Sequence, residues 1–580
     1  MLNSHLLYKQ GLIMTVKTYF LQFTLVTLTS ALSACGGSSS NGTEVPSEKV
    51  EPSVVSVSPV DGSDNVSRSA SIMAAFDEAL FALSVDDSSF TLSDGNRAVA
   101  MPPLLDSETG RTVSLTGSNL RNLTAYTATL TTDITDLAGN ALTEPYSWGF
   151  TTEDGQWSTA QNIETVAENA SFPQIATDPS GNAIAVWMQE FEGQSRIWTN
   201  RYNKETDNWT TASLIENTVA EGSAQFPQIA MDKNGNGLVV WKQNQGFNYS
   251  IWSSYYNFSD STWSDAQLIG IEDEASVAYS EVVFDNQGNA IAVWNQTDGD
   301  ENSIWANRYS AINNSWGIAE AIEQTIDDTY EPKIAIDNNG NALVIWHQRD
   351  GAVKSIWANR YSAINNSWGT PVVIETGDGD ARLADGVSNA QIAIDTAGNG
   401  IAVWSQNDGT EDSIWVNRYD FATTSWGAAS LIENDAGYAR APKVAMDSHG
   451  NAMVLWYQDN GVVDTTRFNR YSVITNSWGT ASEIEAGAGH AYEQQIAFDA
   501  SNNALAVWKQ ADGGVFSIRV IRYEAASNSW GASMKIESDS GQVDYPQFSI
   551  DGFGNAWAIW QQDDSALSGT QNSIMVNHFE

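Results

Sequence analysis

A single cysteine in 580 residues excludes thiol chemistry. Histidine is nearly as scarce, with His5, His347, His449, His490 and His578 the full set. The sequence contains no Gly-x-Ser-x-Gly, His-Glu-x-x-His, P-loop or dinucleotide fingerprint, so no standard catalytic or nucleotide-binding signature is present. Basic residues are few as well: 27 Lys and Arg stand against 71 Asp and Glu, a net charge of −44. Such a surface repels phosphate backbones and anionic lipid, which excludes nucleic acid as a partner. It suits high solubility, salty surroundings or bound cations. The apolar run Tyr19–Leu32 falls short of the ~20 residues that a membrane span needs.

What the chain has in abundance is repetition. The stretch Asp337-Asn338-Asn339-Gly340-Asn341-Ala342-Leu343-Val344-Ile345-Trp346-His347-Gln348 recurs eight times, its tryptophan at Trp187, Trp241, Trp294, Trp346, Trp404, Trp456, Trp508 and Trp560. The period is 52 to 58 residues, the longest step falling between Trp346 and Trp404. Each copy divides into four strand-like runs, exemplified by Lys333–Ile336, Ala342–Gln348, Ser355–Tyr361 and Trp368–Glu375. The Asp-x-x-Gly-Asn turn between the first two needs a residue at positive φ, supplied by glycine in seven copies and by Asn502 in the other. The second run is apolar on both faces, which predicts a strand sandwiched between neighbouring sheets.

The two ends of the array are out of phase. The fourth-strand tryptophan occurs at Trp157, Trp209, Trp263, Trp316, Trp368, Trp426, Trp478 and Trp530, and the first copy precedes any inner strand. The last copy stops after a third strand, Ser573–Phe579. In a ring, Trp157–Glu164 completes the last sheet, so the pattern predicts an all-β, eight-bladed β-propeller over residues 157–580, closed by an N-terminal outer strand. The blades resemble those of NHL-type propellers, and that resemblance carries no function. Tryptophans at fixed phase in every blade are assigned to packing between blades. The recurring Gln189, Gln243, Gln296, Gln348, Gln406, Gln458, Gln510 and Gln562 are expected to form backbone hydrogen bonds between blades. Arginines of the third strand, such as Arg360, are expected to pair with the turn aspartates.

Ahead of the repeats, Lys9 and Lys17 precede the apolar run, which closes on Leu32-Ser33-Ala34-Cys35. This tetrad resembles the lipobox of bacterial lipoproteins. The resemblance implies a signal peptide over 1–34, lipidation of Cys35 and, with Gly36 following, delivery to the outer membrane. Contact with the membrane is expected through the lipid alone. Residues 35–53, rich in Ser, Gly, Pro and Glu, read as a flexible tether. Over 54–152, short alternating runs carry Ser58-Pro59-Val60-Asp61-Gly62, Asp136-Leu137-Ala138-Gly139-Asn140-Ala141 and Trp148-Gly149-Phe150-Thr151-Thr152. Together these resemble the bacterial Ig-like domain of surface proteins, which implies a β-sandwich acting as a spacer.

Binding is expected where the repeats differ, on the loop face opposite the Asp-x-x-Gly-Asn turns. Its loops are acidic, and Asp298, Asp300, Glu301, Asp378, Asp380, Asp408 and Asp412 supply oxygen ligands suited to calcium, although no run fits an EF-hand and a solvated acidic surface is the simpler account. Gln174, Gln228, Glu281, Lys333, Gln391, Lys443, Gln495 and Gln547 begin the inner strands there, with His347 and His490 on the same face. Such a ring suits a ligand with hydroxyls or carboxylates, such as a glycan, and equally inner strands that bond water in a channel. The sequence therefore predicts a non-enzymatic envelope protein that binds a carbohydrate or an envelope protein and requires no cofactor. A polysaccharide hydrolase or lyase using paired carboxylates or the two histidines, and a structural part of a surface assembly, are the alternatives.

Overall fold

The computed structural model describes residues 50–580 except 96, 118–119, 216–221, 246–247, 272–276, 298–300, 325–327, 351–352, 376–389, 408–410, 434–435, 485–488, 538–540 and 564–570. The leader, Cys35 and the tether up to residue 49 lie outside the described residues. None of the described helices is long and apolar enough to cross a membrane.

Val54–Thr152 fold as two facing sheets. One orders Val54–Ser58, Ile72–Phe76, Thr112–Leu115 and Pro103–Leu105; the other orders Ser63–Val66, Tyr146–Thr152, Ala125–Leu130, Phe90–Asp94 and Arg97–Val99. Alternation along each strand sends Ile72, Ala74, Phe90, Leu92, Ala128, Leu130, Trp148 and Phe150 inward, where they form one sealed core.

From Trp157 the repeats build a β-propeller. Among the described residues, eight sheets follow one another, each with an inner, a second and a third strand; in the fourth blade these are Thr329–Ile336, Ala342–Asp350 and Val353–Ser362. Each inner strand touches the next, and the eighth, Val543–Ile550, touches the first, Ala170–Thr177, so the ring is closed around a central channel. The outer strand of the last sheet comes from the other end of the domain: Gln161 pairs with Val576 and Asn162 with Met575. Ser158 N donates to His578 O at 2.8 Å and Ile163 N to Ile574 O at 3.2 Å.

Two elements depart from the expected runs. Inner strands begin earlier than Lys333 because a bulge lets pairing resume beyond it, as Thr329↔Gln348 and Tyr330↔His347. Outer strands are broken in two, Ser367–Trp368 and Val372–Val373 both pairing with Val353–Ser362, because Gly369 N bonds Arg360 O between them and takes the chain out of the ladder.

The repeated polar residues hold the ring. In all eight blades the buried tryptophan of the second strand donates its indole N–H to the glutamine two residues on, at 2.8–3.2 Å. Where the glutamine's own partners are recorded, its amide reaches the loop that enters its blade, as Gln189 Nε2 to Val166 O at 2.6 Å and Gln458 Nε2 to Gly437 O at 3.3 Å. The expected backbone bonds are therefore half of the arrangement, and the indole is the other half. Each turn aspartate accepts from its own turn, Asp337 from the N–H groups of Asn339 and Asn341 at 2.8 Å, and all but Asp447, whose next turn carries Asn502, lie against the glycine of the next turn. A Cβ on Gly340, at φ +84°, would meet Asp285 Oδ2 at 2.9 Å, so that position requires glycine for space as well as for conformation.

The arginines behave differently from expectation. Arg522 reaches the turn carboxylate of Asp499 at 2.6 Å and Arg308 that of Asp285 at 3.9 Å, as expected, but the repeated partner is the aromatic ring of the next blade: Arg201 over Tyr256 at 4.7 Å, Arg360 over Phe421 at 5.3 Å, Arg418 over Tyr471 at 5.1 Å. Where Tyr255 replaces arginine, it stacks on Tyr309 at 5.3 Å, keeping the contact and changing its chemistry. Hairpin register within one blade cannot reveal a contact made across two.

Candidate functional site

The Ig-like domain occupies the turn face. Asn122 N donates to Phe553 O at 3.0 Å, Arg121 Nε to Gly552 O at 3.0 Å, and Thr124 Oγ1 lies 2.7 Å from Ser501 Oγ. These contacts sit on the turns of the seventh and eighth blades and leave the loop face clear.

On that face the channel mouth is built from one repeated irregularity. Near its loop end the inner strand of seven blades slips register, and the residue in the slip adopts left-handed backbone: Phe172, Phe226, Tyr279, Glu331, Ala441, Glu493 and Tyr545 have φ between 43° and 57°. A non-glycine residue in this region costs energy, and its recurrence in seven blades shows that the blade, not one ligand, imposes it. Just inside the bulges lie the eight polar residues expected at the mouth, Gln174, Gln228, Glu281, Lys333, Gln391, Lys443, Gln495 and Gln547, all half-buried. The structure does bring these together.

What breaks the symmetry is the chemistry carried on the bulges. Over the eighth, first and second blades it is aromatic: Phe172 packs against Tyr545 at 4.7 Å and against Phe226 at 4.8 Å. Phe226 remains 42 % exposed and Tyr545 39 %, with Tyr279 beyond them at 47 %. These rings form a ridge along one side of the mouth.

The other side is ionic. Lys333 is paired with Glu281 across two blades, and Lys509 reaches Glu493 and Asp544, both at 2.7 Å. Lys443 has no carboxylate within ion-pairing distance among the described residues; burial and then the nearby Lys333 push its pKa down to about 8, against the pull of Glu281 and Glu493.

A third tier surrounds the mouth. In the second strand the residue between the tryptophan and the glutamine is Met188, Lys242, Asn295, His347, Ser405, Tyr457, Lys509 or Gln561. It is the freest position of an otherwise uniform strand. Aligning the eight copies would have flagged it, whereas the bulge residues carry no sequence signal, because left-handed backbone at phenylalanine or glutamate has no signature.

The two predicted histidines are not neighbours. His347 is fully buried, neither ring nitrogen has a partner among the described residues, and burial pushes its pKa down to about 3, so it is neutral and closed to ligands. Its expected place in an open site is corrected accordingly: the side chain turns between sheets. His490 is exposed, its Nδ1 2.8 Å from Asp464 Oδ2, which also accepts from the Tyr492 hydroxyl at 2.7 Å. Of the acidic residues proposed for calcium, Asp298, Asp300, Asp378, Asp380 and Asp408 lie outside the described residues. Asp412 is buried and accepts from Arg440 Nε at 3.0 Å, so its charge is already met. Among the described residues no three acidic or histidine side chains gather as a metal cluster.

Residues 48–152 match the bacterial Ig-like domain family. No curated protein matches the chain. Several solved structures are similar in fold. One is a protein of unknown function from Dyadobacter fermentans, 12 % identical over 73 % of this chain and 99 % of that one, at TM-score 0.39. Another is an α-L-arabinanase from Penicillium chrysogenum, 14 % identical over 52 % of this chain and 94 % of that one, at TM-score 0.34. A third is an ulvan lyase, 9 % identical over 72 % of this chain and 95 % of that one, at TM-score 0.42. At these identities no activity transfers.

Proposed function

We propose that the chain is a cell-envelope lipoprotein, anchored through Cys35, whose eight-bladed propeller binds a glycan at the loop-face mouth of its channel. The observation that carries this reading is the aromatic ridge. Exposed Phe226 and Tyr545, joined through Phe172 and set beside a ring of amide side chains, offer flat apolar faces for the C–H face of a pyranose next to groups that bond hydroxyls. Docking of the Ig-like domain on the opposite face supports the same reading, because it leaves the mouth uncovered.

Affinity electrophoresis of the full-length protein through gels containing plant, algal and bacterial polysaccharides tests it. Retardation by at least one polymer, lost in Phe226→Ala and Tyr545→Ala at unchanged melting temperature, is the expected result. Absence of retardation across the panel sinks it. Cys35→Ser is expected to move the protein from the membrane to the soluble fraction.

One cluster favours a second reading, a carbohydrate-active enzyme. The His490 imidazole and the Tyr492 hydroxyl share the Asp464 carboxylate on the open face, an acid–base pair of the type that proton abstraction or leaving-group protonation uses. Turnover measured as reducing ends and as unsaturated products decides between binding alone and catalysis.

A further inference from the structure

We infer that the saccharide unit held on the aromatic ridge is anionic, its acid group pairing with the ammonium of Lys242. This rests on the glycan-binding reading above and specifies its ligand. Lys242 Nζ lies 5.9 Å from the Phe226 ring centroid and 4.2 Å from that of Tyr249, at the end of the ridge that runs from Tyr545 through Phe172 to Phe226. The first distance leaves room for the exocyclic acid group of a pyranose stacked on Phe226.

Three observations single this lysine out. First, Lys333 is neutralised by Glu281, Lys509 by Glu493 and Asp544, and Arg440 by Asp412, whereas Lys242 and Lys443 have no carboxylate within ion-pairing distance among the described residues; of these two, Lys242 is the one set against the aromatic ridge. Secondly, the lysine is half-buried against rings, and burial lowers its pKa with no compensating charge among the described residues. A cation kept so costs stability, and an incoming anion offsets that cost. Thirdly, the blade does not impose it, since the same position accepts Met188, Asn295, Ser405 and Gln561.

The net charge of −44 does not oppose the pairing. At physiological salt the Debye length is about 8 Å, so distant carboxylates are screened while a contact beside a desolvated ring is not. The favourable stacking surface and the cation then select together: a neutral sugar satisfies the rings alone, and a free anion satisfies the lysine alone.

The experiment uses the full-length protein with four polymers: polygalacturonate as carboxylated, ι-carrageenan as sulfated, and galactan and dextran as neutral probes, with affinity read by isothermal titration calorimetry. Expected is at least ~10-fold tighter binding of one acidic polymer than of either neutral one, as befits a charge-assisted contact. Lys242→Met, which keeps the stem, should abolish that preference; Lys242→Arg should restore it; neither should melt below the parent. Carboxylate and sulfate are told apart by which acidic polymer binds. Neutral polymers bound as tightly as acidic ones, or an acidic preference unchanged in Lys242→Met, would overturn the inference and leave glycan binding standing. Binding of none of the four, with none on the wider panel, overturns both.

Discussion

Closing the ring with Trp157–Glu164 makes Ile163 equivalent to residues deep inside the array, and that equivalence has a measurable cost. Ile163 is 4 % exposed and Ile322, its counterpart between the third and fourth blades, 3 %. Each carbonyl accepts an amide from the next blade's third strand, Asn200 Nδ2 at 2.9 Å and Asn359 Nδ2 at 2.8 Å. Isoleucine to alanine removes three buried carbons, about 2.4 kcal/mol at ~0.8 kcal/mol for each. The residual cavity raises the total into the range of about 2–5 kcal/mol. Ile163→Ala and Ile322→Ala should therefore lower stability by the same amount within about 1 kcal/mol, read from urea transitions followed by tryptophan fluorescence. In an open array Ile163 would lie at a fraying terminus and its truncation would cost almost nothing. A loss below ~1 kcal/mol at Ile163 beside a loss of several at Ile322 refutes ring closure.

Gln406→Leu leaves the buried Trp404 indole N–H without its 2.8 Å acceptor and should cost about 1–3 kcal/mol in the same assay. Tyr255→Arg recreates the arginine-over-tyrosine contact of the other blades, here on Tyr309, and should change stability by no more than ~1 kcal/mol. His347 is neutral in the fold because its pKa is depressed to about 3. The unfolded chain takes up a proton below its ordinary ~6.5, so stability is complete above that pH and falls by up to ~1.4 kcal/mol per pH unit toward pH 3. His347→Leu should flatten this slope in acid titrations of the unfolding midpoint. Asn122→Ala removes the side-chain bond to Asn555 at 3.2 Å, so limited proteolysis should release the Ig-like domain faster while both parts stay folded.

The architecture was legible because a propeller writes itself into sequence many times. Trp346 and its seven copies fix the second strand, and the outer-strand motif at Trp157, ahead of any inner strand, points to the closure that the pairing of Gln161 with Val576 realises. Contacts across blades were less legible. Arg418 lies over Tyr471, 53 residues away, and no periodic pattern distinguishes that partner from the turn aspartate in its own hairpin. The site was half legible. Its polar ring, Gln174 to Gln547, follows from strand phase alone. Its ridge, Phe172, Phe226 and Tyr545, depends on a bulge that turns residues two places from the ring toward the same opening, and nothing in those residue types announces left-handed backbone. His347 was misread because it lies toward the loop end of its strand, whereas that strand is buried on both faces there, Trp346, His347 and Gln348 alike.

The docking of the Ig-like domain has a mechanical consequence. The strand that shuts the ring is also the first segment of propeller that a pull on the N-terminal side would load, and a two-residue ladder, Gln161 and Asn162, is poorly suited to resist peeling. The load meets other bonds first. Asn122 to Phe553, Asn503 to Leu123 at 3.3 Å and Arg522 to Asp154 at 3.6 Å clamp the sandwich directly to the seventh and eighth blades and the connecting segment. Tension is thereby shunted around the seam into the body of the ring, and the short ladder that closes it is relieved of load as long as the clamp holds.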